Sequence, residues 1–329
     1  MTIFYYGSCE DSVTVREPPA PPAPPANRIV GGRPTTVETY PYMAYLVIHF
    51  DEPDGEQWAG GCGGVVLTQH HVLTAAHCLF HEINDTAAVT GTTILRASEV
   101  IVRVGSTYND RGGSVHVTPK IVVHESYNHP ILDNDVAVLV LPTSMSNYRS
   151  SSVQPAVIPP GGYVVPNNAS VVAVGWGLTD MNCSKSNTLG LRHVGLRKVD
   201  RDTCGARWEA SVPDNFLCAG LLGVGGAGTC RGDSGGPLVY NGVVVGLTSF
   251  GMTCGDSLYP NVFTRVSSYT VWINNTNIDP GRWGSGQHML TRVCNSGLTS
   301  EMQQPTLEPR GPAQSAPYDD TACNTWRGI

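Results

Sequence analysis

"GTCRGDSGGPLVY", residues 228–240, sets Ser234 between an aspartate and two glycines, four residues after a cysteine, and then runs into an apolar stretch. A serine in this setting is either a turn residue or a nucleophile. Its hydroxyl is a weak nucleophile at its own pKa and needs an adjacent base, normally a histidine held by a carboxylate. If Ser234 is to react, a His and an Asp must be supplied from elsewhere in the chain.

Both are present. "VLTAAHCLF" places His77 at the end of an apolar run beside a cysteine, and "HPILDNDVAVLVL" places Asp135 at the mouth of another, giving the chain order His, Asp, Ser. Taken singly, each has a bland reading: a structural histidine, a strand cap, a glycine turn. Taken together, they fit a nucleophile with its base and orienting acid.

The rest of the chain reads as mainly β. Of its 329 residues, 41% are hydrophobic and 14% charged, which suits one large or two small cores. The 37 Gly and 24 Pro fall between short runs rich in Val, Ile, Leu and Thr, as expected of many strands joined by tight turns. One set of runs extends from Ile29 to about Leu141, and a second from "SVVAVGWG" to "PNVFTRVSSYTVWINNT". Two β-rich halves predict two small packed barrels with an active site in the cleft between them. Val266, Tyr269 and Ile273 are spaced to share one face of a short helix.

Flanking pieces differ in character. Residues 1–28 form a propiece containing the spacer "PPAPPAPPA" at 18–26, which is polyproline-like and unable to join a sheet. Residues 277–329 are rich in Pro, Gly and Ser without periodicity and read as a loose extension.

A net charge of −7 argues against a nucleic-acid surface. Lys occurs only at 120, 185 and 198, the other seventeen basic residues being Arg. Arg keeps its charge where Lys loses it, so the bias suits an alkaline medium or one rich in Lys-directed proteases, with compositional drift as the alternative. Ten cysteines with no CxxC and no zinc-like spacing point to disulfides and an oxidising, extracellular compartment. The N-x-S/T triplets at Asn84, Asn168, Asn182 and Asn274 fit that compartment. No run of roughly 18 apolar residues predicts a membrane helix. "MTIFYYGSCE" lacks the pattern of a signal peptide, so secretion implies a leader upstream of it.

"RIVGG", "LTAAHC", "DNDVAVLVL", "VGWG" and "CRGDSGGP" occur in the order and spacing of the chymotrypsin-like, trypsin-family serine proteases, a resemblance covering roughly residues 28–276. The resemblance implies an all-β fold of two six-stranded antiparallel barrels with a short C-terminal helix, and endopeptidase action on polypeptides through an acyl-enzyme. Ser234 would attack the scissile carbonyl, His77 would take and return its proton, and Asp135 would fix the imidazole. The N–H groups of Gly232 and Ser234 would form the oxyanion hole. "RIVGG" implies a zymogen cut between Arg28 and Ile29, after which the Ile29 amine pairs with Asp233. The same resemblance pairs Cys62 with Cys78, Cys204 with Cys218, and Cys230 with Cys254. It leaves Cys9, Cys183, Cys294 and Cys323 with three connectivities open, and with a covalently retained propiece or free thiols as alternatives.

In this family the residue six before the nucleophile lies at the base of the specificity pocket, where trypsin-type enzymes carry Asp; here it is Gly228. The neighbouring pocket positions are Thr229, Gly251 and Asn261. Gly251 is expected to leave the entrance open to large side chains, and Asn261 to narrow the base with an uncharged amide. A cationic substrate group buried there without a carboxylate would be costly, so large neutral residues are expected before the scissile bond. Residues Ser249, Phe250 and Gly251 would pair with the substrate backbone, Phe250 standing where the family usually has Trp. An enzyme of this pocket would cut poorly after Arg28, so a separate Arg-specific protease is the expected activator, and protein protease inhibitors are further expected partners. The loop "GSTYNDRGGSVH" has only Asp110 where calcium-binding members have paired acids, so no metal or other cofactor is expected. Two other readings remain open: a catalytically weak homologue acting as adaptor or decoy in a protease cascade, and a body that presents residues 277–329 as a binding module.

Overall fold

The computed structural model describes residues 29–276 except 54, 56, 85–91, 119, 130 and 180–188. Arg28, the proline spacer, Asn182, Cys9, Cys183, Cys294, Cys323 and the 277–329 extension therefore lie outside the described residues.

Ten strands make up the first half: β1 (Arg33–Pro34), β2 (Met43–Asp51), β3 (Gln57–Thr68), β4 (His71–Thr74), β5 (Phe80–Asn84), β6 (Thr92–Arg96), β7 (Glu99–Val104), β8 (Ser114–Thr118), β9 (Lys120–Val123) and β10 (Ala137–Val140). Period-two alternation drives several of them. In β7, Val100, Val102 and Val104 are buried while Glu99 is exposed, so one face carries the core. Seven strands pair in the order β8-β7-β2-β3-β4-β10-β9, and β5 with β6 forms a separate two-stranded sheet.

The second half contains β11 (Ser170–Gly175), β12 (Arg192–Val199), β13 (Phe216–Gly220), β14 (Pro237–Tyr240), β15 (Val243–Phe250) and β16 (Asn261–Arg265). Its pairing runs β12-β11-β14-β15-β16-β13, and β13 returns to β12 to close a six-stranded barrel. β1 crosses over from the first half and pairs with the beginning of β12. The hairpin between β14 and β15 turns on Asn241 and Gly242, both at positive φ, as a two-residue hairpin turn requires.

The barrel expectation is thus met by closure in the second half, whereas the first half is an open half-barrel sheet of seven strands. Its two edge strands, β8 and β9, are consecutive in the chain and separated only by Pro119, which has no amide hydrogen to give to a ladder.

Two α-helices complete the described residues, α1 (Arg201–Trp208) and α2 (Thr270–Thr276). A 3₁₀ turn over Val266–Ser268 precedes α2, and Val266, Tyr269 and Ile273 are all buried as their spacing predicts. α1 is absent from the sequence reading because it buries only Cys204 and shows no apolar periodicity. It is held by its N-cap, where the Asp200 carboxylate accepts from the Thr203 N–H, and by the Cys204–Cys218 disulfide. Among the described residues no helix is long and apolar enough to cross a membrane.

Candidate active site

His77 and Asp135 are brought together by strand register. β10 pairs antiparallel with β4 so that Ala137 faces Thr74. Two residues further along each strand, Asp135 meets the 3₁₀ turn Ala76–Leu79 that carries His77. The Cys62–Cys78 disulfide ties that turn to β3. Asp135 is wholly buried, and its Oδ2 lies 2.8 Å from His77 Nδ1 while its Oδ1 accepts the His77 backbone N–H at 2.8 Å. An ionised carboxylate only accepts, so Nδ1 carries the proton and Nε2 keeps its lone pair.

Two further hydroxyls hold this acid, and neither was apparent from sequence. Ser249 Oγ donates to Asp135 Oδ2 at 2.5 Å, and Thr264 Oγ1 donates to the Asp135 carbonyl at 2.8 Å. Ser249 and Thr264 lie on adjacent strands, and their buried hydroxyls must find acceptors, a requirement no sequence motif signals. Burial alone would raise the Asp135 pKa, but the His77 charge and the hydrogen bonds from His77 and Ser249 outweigh it and hold the carboxyl below its usual range. For His77, burial pulls downward, and the Asp135 charge and hydrogen bond overcome it, leaving the imidazole pKa raised. The side chain remains 19% exposed, enough to meet a substrate.

Ser234 sits in the turn before β14, half-buried. Its carbonyl accepts the Gly63 N–H at 2.7 Å, linking the two halves of the molecule beneath the site. Gly235 packs so closely on Thr74 and Ala75 that a side chain there would collide with them, which sets Ser234 beside the segment leading into His77. Among the described residues no hydrogen bond joins Ser234 Oγ to His77; such bonds are often long before substrate arrives. Gly232 has φ 87°, a left-handed conformation that glycine adopts without strain. Neither the Gly232 N–H nor the Ser234 N–H finds an acceptor among the described residues, so both remain available to an oxyanion.

Asp233 is buried. Its Oδ1 accepts the Gly177 N–H at 2.8 Å and its Oδ2 the Cys230 N–H at 2.9 Å. Burial pushes its pKa up to about 7, and those two N–H groups offset the penalty only in part. Ile29 is wholly buried in the same core as Ala227, at φ 44°, and the Val30 carbonyl accepts the Gly228 N–H at 3.0 Å. The segment expected to regulate the site therefore lies directly behind the pocket. Arg28 is outside the described residues.

The segments expected to wall the pocket, around Gly228–Thr229 and Ser249–Gly251, are tied by the Cys230–Cys254 disulfide. Phe250 does not face the cleft alone: its ring packs edge-on against Trp208 at 5.4 Å and Phe216 at 5.7 Å. The Asn261 amide occupies the space adjoining Gly251, the position expected to leave the entrance open. A Cβ built on Gly228 would fall 2.7 Å from Asn261 Oδ1, and one on Gly251 would collide with Asn261 Nδ2. None of the four pocket positions carries a charge.

The sequence profile of the family described as Trypsin matches residues 29–273. The chain is 39% identical to Trypsin CFT-1 of Choristoneura fumiferana, across 75% of this chain and 90% of that protein. It is 40% identical to Trypsin, alkaline B of Manduca sexta, across 76% and 91%. Among solved structures, an inactivated protease paralogue of the scabies mite superposes with a TM-score of 0.61 at 24% identity, covering 75% of this chain and 96% of that one. That likeness concerns the fold.

Proposed function

The chain belongs to the trypsin family and is a serine endopeptidase, and from that premise we propose that it is a secreted zymogen in which Ser234, His77 and Asp135 cleave peptide bonds after uncharged residues. The observation that carries this reading is the buried Asp135 carboxylate, which grips both the backbone and the ring of His77 and so fixes its tautomer. Three disulfides in the described residues support an oxidising, extracellular setting.

In the proposed reaction His77 Nε2 accepts the Ser234 hydroxyl proton as Oγ attacks the substrate carbonyl. Negative charge then develops on an oxygen held by the N–H groups of Gly232 and Ser234, a donor pair of which one member is worth ~3 kcal/mol in comparable sites. His77 passes its proton to the leaving amine, and water repeats the sequence on the acyl-enzyme. Asp135 stays ionised throughout, as its lowered pKa supports.

Activation by cleavage after Arg28 would convert the Ile29 amide into an ammonium close behind the pocket. Asp233, buried with only neutral donors against it among the described residues, is the carboxylate that such a cation would satisfy. Since the pocket lacks a carboxylate for Arg, the cut falls to another protease of Arg specificity. Polypeptides are its substrates, and protein protease inhibitors are its expected regulators.

The test is to treat the purified full chain with trypsin, remove the trypsin on an immobilised inhibitor, and assay peptides that differ only before the scissile bond. Hydrolysis after neutral residues that is lost in Ser234→Ala and His77→Ala is the expected result. Preference for Arg or Lys would overturn the uncharged pocket, and hydrolysis that survives Ser234→Ala would overturn the nucleophile.

A further inference from the structure

We propose that the Asn261 side chain is a crossbar in the specificity pocket that restricts the enzyme to small residues, Gly, Ala and Ser, before the scissile bond. This rests on the reading above that Ser234 is the nucleophile and that Gly228–Thr229 and Ser249–Gly251 wall its primary pocket.

Position comes from the sheet. Asn261 is the first residue of β16, opposite Ala219 of β13, and the next residue, Val262, pairs with Phe250 at the end of β15. The Asn261 side chain therefore enters the space behind Gly251 instead of joining the barrel core. It is 6% exposed, so its surroundings fix it.

Its two ends touch opposite walls. Oδ1 accepts the Thr229 backbone N–H at 3.2 Å on one side, where it also stands 2.7 Å from a Cβ built on Gly228. On the other side Nδ2 abuts Gly251. Carbon atoms need about 3.5–4.0 Å between centres, so an aliphatic chain or ring cannot pass an amide already in contact with both walls. Access would require the amide to swing aside, which breaks its bond to Thr229 and leaves a buried N–H without an acceptor. A side chain of one or two heavy atoms stops short of the amide and incurs neither penalty. The two glycines fit this arrangement: a Cβ at 251 would collide with the amide, and one at 228 would meet both its Oδ1 and the Gly255 backbone.

The experiment uses the activated full chain. The fraction of competent Ser234 is first counted with a fluorophosphonate label, which reacts with the nucleophile without needing a side chain in the pocket. kcat/KM is then measured on peptides that differ only in the residue before the scissile bond: Gly, Ala, Ser, Leu, Phe and Tyr. Ala and Ser are expected to exceed Phe and Tyr by about tenfold or more, the scale on which apolar pockets discriminate size. Asn261→Gly is expected to raise Phe and Tyr by about tenfold or more. Preference of the unmodified enzyme for Phe, Tyr or Leu would overturn the crossbar whether or not the variant folds, since the wild-type series decides by itself. An enzyme that prefers Ala while Asn261→Gly leaves Phe and Tyr unchanged would show that another residue sets the limit. Failure of the label to modify Ser234 would instead remove the catalytic reading on which the proposal stands.

Discussion

Asp135 concentrates the electrostatics of the site in one buried carboxylate, and Ser249 is the positioning residue that competes with His77 for it. Removing the hydroxyl in Ser249→Ala leaves more negative charge on Oδ2 for the imidazole to feel. The His77 pKa, already raised, should rise further. Because the base works only when neutral, the acid limb of the kcat/KM profile is expected above pH 6.5 in the wild type and at higher pH still in the variant. An unchanged limb would show that the hydroxyl only fills space. This residue illustrates where the sequence falls silent. The motifs single out His77, Asp135 and Ser234 as candidates, and the fold brings His77 and Asp135 together, but the direction of a side chain such as Ser249 or Asn261 depends on which strand packs behind it. That the Asn261 amide lies against Gly251 is visible only in the fold.

At the scale of elements, one hairpin does most of the positioning. β14 follows directly from the Ser234 turn, and β15 ends in Ser249 and Phe250, so a single Asn241–Gly242 turn registers Ser234 against Ser249 and Phe250. Gly242 has φ 77° and nothing within 4 Å of a built Cβ. Gly242→Ala should therefore cost only the backbone penalty, about 1 kcal/mol or a few degrees in Tm, with kcat/KM unchanged. A larger loss, or lost activity, would mean the turn sets the site's geometry more tightly than its contacts suggest. Elements with strong alternation, such as β7, were readable from sequence. α1 was not, since a cap and a disulfide hold it in place of an apolar stripe. Nor was the open edge of the first half, because whether β8 pairs with β9 is not written in their hydrophobic pattern.

For the whole molecule, Asp233 couples stability to pH. Its pKa is raised in the fold to about 7 from an ordinary 3.8, so between those values the folded protein holds a proton that the unfolded chain releases. Stability must then fall as pH rises through that window, by on the order of 4 kcal/mol in full. In the uncut protein Tm is expected to drop between pH 4 and pH 8. After cleavage at Arg28, an ammonium paired with Asp233 would favour the charged carboxylate, and the drop should largely disappear. Identical profiles for the cut and uncut chains, followed by scanning calorimetry, would overturn that pairing. Ile29 adds a thermodynamic asymmetry. Its φ of 44° is a rare angle for a β-branched residue, and it is defined by the carbonyl carbon of the residue before it. Hydrolysis of the Arg28–Ile29 bond removes that carbon, and with it the torsion itself. Religation would have to restore a disfavoured conformation in a buried end, so the switch would behave as a ratchet. The working lifetime of the enzyme would then be set by what captures or degrades it, since its own activation offers no road back.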